Sequence, residues 1–337
     1  MDQIYRLLPV AALMAFAAVP ARADTLDVCA DVPGAACAYK GTAGLQAAVD
    51  AAGVGDTIKI DAGIYRPGAT QDVPFTDDGE ALRIRGAVLI NRKKLHIEAA
   101  PGAVFDGSDG TPSNAFVIVG SDVSFNNINI RDYQSGSDTD DIYDGHGLFF
   151  INSRGVVTNT SIHGTKKMAL TIRGASTLDV SGLRITDSHM GIWLEENAKL
   201  TLRNSLVSGS EEAGIGGYDI TETLIENSVF VGNLDDGIYA PDTGHIVVRN
   251  SIIAGNAPYG MRALTGGVIE IENSLMFGDV EAAYFTDGET AKVVLGEGVV
   301  TDIDPKLDAD YLPQAAAPAL KGIGLKSRPG AAEIKTD

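Results

Sequence analysis

LRNSLV at 202–207, IENSVF at 225–230, VRNSII at 248–253 and IENSLM at 271–276 are one phrase said four times. Asn204, Asn227, Asn250 and Asn273 recur every 23 residues, and Asn159 and Gly182 carry that register backwards at intervals of 23 and 22. Half a repeat away, Gly147, Ala169, Gly191, Gly214, Gly237, Gly260 and Ala283 open short strand-like runs: GLFFIN, ALTIRG, GIWLEE, GIGGYD, GIYAPD, GMRALT and AYFTDG. These openings lie 22 or 23 residues apart. A fixed period in the twenties describes a solenoid, in which each turn buries its apolar face only against its neighbours. The L-x-x-L-x-L spacing of a leucine-rich repeat is missing. Two or three β-branched runs per repeat, divided by Gly, Asn and Asp, predict a coil of strands instead.

Those repeats resemble the coils of the right-handed parallel β-helix, the pectin-lyase-like superfamily. The resemblance runs from about Leu45 to Leu320. LQAAVDAAGVGDTIKIDAGIY at 45–65 is similar to that superfamily's amino-terminal cap helix and first strand, and DIDPKLDADYLPQAAAPALKGIG at 302–324 to its closing segment. It implies an all-β fold, a single parallel β-helix over 45–325 with a short cap helix and a tail at 326–337. The superfamily holds lyases, hydrolases, epimerases and non-enzymes, so the fold alone names no reaction.

The 337 residues are 45% apolar, enough for one elongated domain. Residues 1–23 read as an export signal: basic Arg6, an apolar run from Leu7 to Val19, and Ala21-Arg22-Ala23 before the cut. That apolar run is too short to span a bilayer. A periplasmic or secreted protein is expected, and there Cys29 and Cys37, the two cysteines, would form one small disulfide in the arm 24–44. The formal net charge is −19, which argues against nucleic acid and anionic membranes as partners.

In chain order, residues 24–44 read as an irregular arm, Gly44–Ala52 as an amphipathic plug helix and Thr57–Ile60 as the first strand. Residues 68–79 are polar and acidic and read as a loop. The interval from Asn127 to Asn159 is 32 residues, so about nine are inserted within Arg131–His146, and long loops on repeat scaffolds sit on the working face. From Gly288 the chain is expected to cross back along the body, with Pro305, Pro313 and Pro318 preventing further strand pairing.

Alternation sorts the side chains of each opening run. Leu148, Leu170, Ile192, Ile215, Ile238, Met261 and Tyr284 should point inward, as should Phe150, Ile172, Leu194, Gly217, Ala240 and Ala263. The Asn column should stack in an inward turn and satisfy buried backbone. Arg203, Glu226, Arg249 and Glu272 should form an outer ladder of alternating charge. Phe149, Thr171, Trp193, Gly216, Tyr239 and Arg262 have outward parity, and exposed rings in a row need a reason. Sugars stack on such rows; ordinary packing under the tail or the insertion is the alternative.

The turn feeding this face carries Asp144 and His146, then His163, Lys166 and Lys167, then Asp187 and His189, with Arg173 and Glu195 on the strand ends. Repeat alignment puts Lys167 one coil from His189 and His146 about one coil beyond. Such a cluster suits proton abstraction at C5 of a uronic acid. His189 or His146 would be the base, Lys167 the acid or charge stabiliser, and Arg173 or Lys166 a cation for the developing enediolate. Phe149, Trp193, Tyr239, Arg262 and Lys166 would bind the substrate. Asp138, Asp140, Asp141 and Asp144 in the insertion could hold Ca²⁺, although the spacing is not an EF-hand, and a solvated acidic loop is the alternative.

DGHG at 144–147 is similar to the G-H-G segment of polygalacturonase-type hydrolases, but the paired aspartates one coil upstream and the N-T-D and R-I-K motifs are absent. Asp144 and His146 also match the D-P-H-D element of alginate C5-epimerases, with Gly145 and Gly147 replacing its Pro and second Asp. The R-x-P-x-x-R of pectate lyases is absent. Three readings follow: a polyuronate lyase or C5-epimerase, a non-catalytic glycan-binding or envelope-structural β-helix, and a glycoside hydrolase.

Overall fold

The computed structural model describes residues 23–34, 36–77, 80–136, 143–219, 222–314 and 321–331. The signal-peptide reading, apart from its last residue, lies outside them. Parallel strands from successive coils assemble three long sheets of ten, twelve and nine strands among the described residues. The opening runs form the ten-stranded sheet, and each then turns into the twelve-stranded and nine-stranded sheets in order. Register is in step throughout: Leu170 pairs with Leu148 and Ile192, and Arg249 with Glu226 and Glu272.

The inward columns are as the alternation predicts. Leu148, Leu170, Ile192, Ile215, Ile238 and Met261 are fully buried in one continuous core with Phe150, Ile172 and Leu194. Tyr284 departs from its column and is exposed, because the last coil has no further coil beyond it among the described residues. On the twelve-stranded sheet the expected charge ladder forms, with Arg203 Nε 3.1 Å from Glu226 and Arg249 paired to Glu272.

The Asn column is not the inward ladder. Asn204, Asn227, Asn250 and Asn273 have φ of 47°, 50°, 49° and 44°, the left-handed region that short amide side chains tolerate. Gly182 takes the same place with φ 68°. Asn273 Nδ2 still donates to Asn250 Oδ1, but the continuous buried ladder falls to the next residue. Ser205, Ser228, Ser251 and Ser274 are fully buried, and each backbone N–H of the first three donates to the next Ser Oγ at 3.0–3.2 Å. A second buried ladder runs Ser210, Asn233, Asn256, Asp279 at the turn before the opening strands.

Three local expectations change at the amino-terminal end. The arm holds a strand, Thr25–Cys29, that pairs with Asp56–Ile60 and extends the twelve-stranded sheet, and the Cys29–Cys37 disulfide is formed beside it. The cap helix begins earlier, spanning Gly41–Ala51, and buries Leu45, Ala48 and Val49 over the coil end. The expected loop at 68–79 instead contains Gln71–Asp77, which folds back antiparallel on Glu80–Asn91. That hairpin lies across the outer face of the ten-stranded sheet. At the other end the crossing back begins later than Gly288, because Lys292–Leu295 still pairs in parallel with Val268–Glu272. The chain then runs back along the nine-stranded sheet, where the N–H groups of Gly324 and Gly330 donate to the carbonyls of Asn250 and Gly182. No helix among the described residues is long and apolar enough to cross a membrane.

Candidate functional site

A groove of about 320 Å³ opens on the ten-stranded sheet where the inserted segment ends. Its lining is Tyr143, His146, Lys167, Met168, Thr171, His189, Met190, Trp193, Glu195 and Glu212. Coil register builds it. Met168 pairs with Met190 and Thr171 with Trp193, which sets Lys167 and His189 side by side one step before. In the turn just before, His189 N–H donates to Thr165 O at 2.9 Å, and Lys167 N–H to Gly145 O at 3.1 Å.

Most of the chemical groups in the groove have definite partners. His146 is buried, its Nδ1 lies 2.7 Å from Thr171 Oγ1, and its ring stacks on Phe149 with centroids 4.9 Å apart. His189 is partly exposed between two carboxylates, Nδ1 at 3.1 Å from Glu211 and Nε2 at 3.4 Å from Glu212. Lys167 is half-buried and enters no ion pair among the described residues. Trp193 is only 8% exposed, yet it faces away from the solenoid core, packed with Met190, Ala213, Met168 and Tyr239. Its indole N–H donates to Glu195 Oε1 at 2.7 Å, and that carboxylate in turn pairs with Arg173.

Of the residues the repeats single out, His146, Lys167, His189 and Trp193 share this groove. The others stand elsewhere. Phe149 has the expected outward parity but is fully buried under the hairpin, packed with Ile84, Val117 and Tyr143, so no sugar ring reaches it. Arg173 is buried behind the groove, ion-paired with Glu195 and Glu196 and 4.7 Å over the Phe75 ring; its charge is already matched. Lys166 is exposed outside the lining. Tyr239 and Arg262 lie further along the same row, Arg262 paired to Asp235 and Asp236 and 4.8 Å above the Tyr239 ring.

Asp144 differs most from a solvated acidic loop. Its carboxylate is 1% exposed and accepts a hydrogen bond from Arg85 Nε at 2.7 Å. Asp138, Asp140 and Asp141 lie outside the described residues. Among the described residues no three His, Cys, Asp or Glu side chains come together as metal ligands. Asp144 is thus ion-paired with Arg85.

Tyr143, Thr171, Met168 and Met190 were not singled out by the sequence as site residues. Thr171 had a signal, since it shares the outward row with Phe149 and Trp193. Tyr143 had none beyond lying in the inserted segment.

Residues 114–276 match the family model described as the right handed beta helix region. The fold is a right-handed parallel β-helix. Among solved structures, this β-helix is similar to an alginate lyase from Paenibacillus sp. str. FPU-7, with TM-score 0.56 at 15% identity, over 82% of this chain and 99% of that one. It is similar also to the pectate lyase Pel9A, with TM-score 0.50 at 15% identity, over 93% of this chain and 90% of that one. At this identity the likeness is one of fold. No curated protein sequence matches the β-helix.

Proposed function

We propose that this chain is an exported enzyme that acts on a uronic-acid polysaccharide by removing the proton at C5, and that the groove at Lys167 and His189 is its active site. One observation carries the reading: two imidazoles, one ammonium and one indole, drawn from three coils, line a single groove. The fold neighbours act on alginate and pectate, both polyuronates, which supports the substrate class without fixing it. The Cys29–Cys37 disulfide supports an oxidising compartment.

The chemistry needs a base at C5–H and positive charge at the substrate carboxylate. Arg173 is ion-paired with Glu195 and Glu196, so Lys167 is the cation for the enediolate that forms as the C5–H electron pair moves onto the carboxylate. His189 or His146 takes the proton. Thr171 Oγ1, 2.7 Å from His146 Nδ1, orients that imidazole. In β-elimination the C5 electron pair then forms the C4–C5 double bond, the C4–O4 bond breaks, and the leaving oxygen takes up a proton. In epimerisation C5 is reprotonated from the opposite face.

The test is turnover of alginate, pectate and a glycosaminoglycan, followed by ultraviolet absorbance of the unsaturated uronate and by NMR of C5 stereochemistry. An active wild type with inactive but folded Lys167→Met and His189→Gln variants supports the reading. Silence on every substrate in both measurements removes it, and leaves a glycan-binding β-helix.

A further inference from the structure

The outward row that runs through the groove is closed at one end and open at the other. In register it reads Leu89, Val117, Phe149, Thr171, Trp193, Gly216, then Tyr239, Arg262 and Phe285. Val117 and Phe149 have no exposed surface, because the 71–85 part of the hairpin sits on them: Ile84, Val73, Phe75 and Leu82 pack in the same apolar cluster. The hairpin is fastened to the end of the insertion. Phase by phase the contacts are direct: the Phe75 ring meets the Tyr143 ring edge-on at 5.2 Å, and Arg85 clamps buried Asp144. Asn114 Nδ2 donates to both the Arg85 and Tyr143 carbonyls, at 3.0 and 2.7 Å, tying the two segments to the sheet beneath. Tyr143 is also the groove's end wall.

Past Trp193 the row rises into solvent. Arg262 is partly exposed, Phe285 is 37% exposed and Tyr218, beside Trp193, is 54% exposed. No second hairpin stands there among the described residues. The lining spans four coils, so the groove is about 14 Å long at 4.8 Å per strand. Its volume is near the lower limit for ligand pockets, which fits a short stretch of sugar.

From this polarity we infer that the groove takes the end of a polysaccharide chain, with the terminal unit against Tyr143 and the rest leaving over Trp193 towards Tyr239, so that the enzyme is exo-acting. A polymer threaded through mid-chain would have to pass through the space filled by Phe75, Tyr143 and the Arg85–Asp144 pair. The inference rests on the polyuronate reading above.

The experiment follows product size during turnover of alginate and polygalacturonate, each prepared at several defined lengths. An exo-acting groove releases short products of constant size from the first minutes, while the average length of the remaining polymer falls slowly. Its rate at equal sugar mass rises in proportion to the number of chain ends. If the reaction is epimerisation, inverted residues accumulate from one terminus. A rapid early drop in polymer length, or inverted residues scattered along the chain, overturns the inference and leaves the polyuronate reading intact. No reaction on any polymer removes that reading, and the inference with it. Phe75→Ala supplies a second arm, since it thins the wall without touching the groove lining. It should raise the share of mid-chain events at least several-fold, and an unchanged product pattern contradicts the role given to the hairpin.

Discussion

Phe149 and Trp193 occupy the same position in coils two apart, with the same outward parity, and they have opposite fates. Phe149 lies beneath the hairpin with no exposed surface, whereas Trp193 keeps an edge on the groove and a hydrogen bond to Glu195. Period and alternation decide which way a side chain points. They do not decide what lies on top of it. A segment that leaves the repeat, here 71–85, turns part of a sheet's outer face into a second small core, and the boundary of that core becomes the wall of the site.

The sharpest way to break the comparison is at the groove itself. Lys167→Met and His189→Gln should each lower turnover by about 10²–10⁴-fold, as loss of a charge stabiliser or of a general base does, while thermal unfolding stays cooperative. Steady-state kinetics on the preferred polyuronate, with unfolding measured in parallel, checks this. On the covered side, Phe149→Ala should cost about 3–5 kcal/mol in urea unfolding, since it empties a fully buried site. Trp193→Ala should cost clearly less stability and weaken substrate binding more. Equal stability losses would mean that both rings are ordinary packing.

A third contrast lies further along the row. Burial pushes Asp236 up to about 7 from 3.8, against the pull of Arg262, and burial pushes Asp279 up to about 6 against two hydrogen bonds from Asn256. The folded chain then keeps protons that the unfolded chain has lost. Stability should therefore fall as pH rises from 3.8 to about 7 and level off above it. Asp236→Asn should flatten most of that slope, measured as urea midpoints across the range. The smallest effect belongs to the outer ladder: Arg249→Ala should change stability by under about 1 kcal/mol, because the pair with Glu272 is solvated.

Much of the fold was legible because stacking copies one coil's register onto the next. The inward columns, the Arg–Glu ladder and the adjacency of Lys167 to His189 all follow from the period. The Asn column was readable in position but not in role. Its interchange with Gly182 was the sign of a left-handed backbone, and the buried polar ladder belonged to Ser205, Ser228, Ser251 and Ser274 one residue on. What the sequence hid were contacts outside the repeat. Arg85 meets Asp144 across 59 residues, and Phe75 meets Arg173 and Tyr143 through a hairpin whose first strand reads as a polar loop. Those contacts bury Phe149, neutralise Asp144 and remove Arg173 from the list of available cations.

The central claim is that Lys167 and His189 serve removal of the C5 proton of a uronate. NMR of the reaction in deuterated water reads this directly. The account predicts that each turnover by the wild type abolishes one uronate H5 signal, by elimination or by deuterium entering at an inverted C5, and that Lys167→Met leaves H5 intact. Cleavage that adds water across the glycosidic bond with every H5 retained would contradict it.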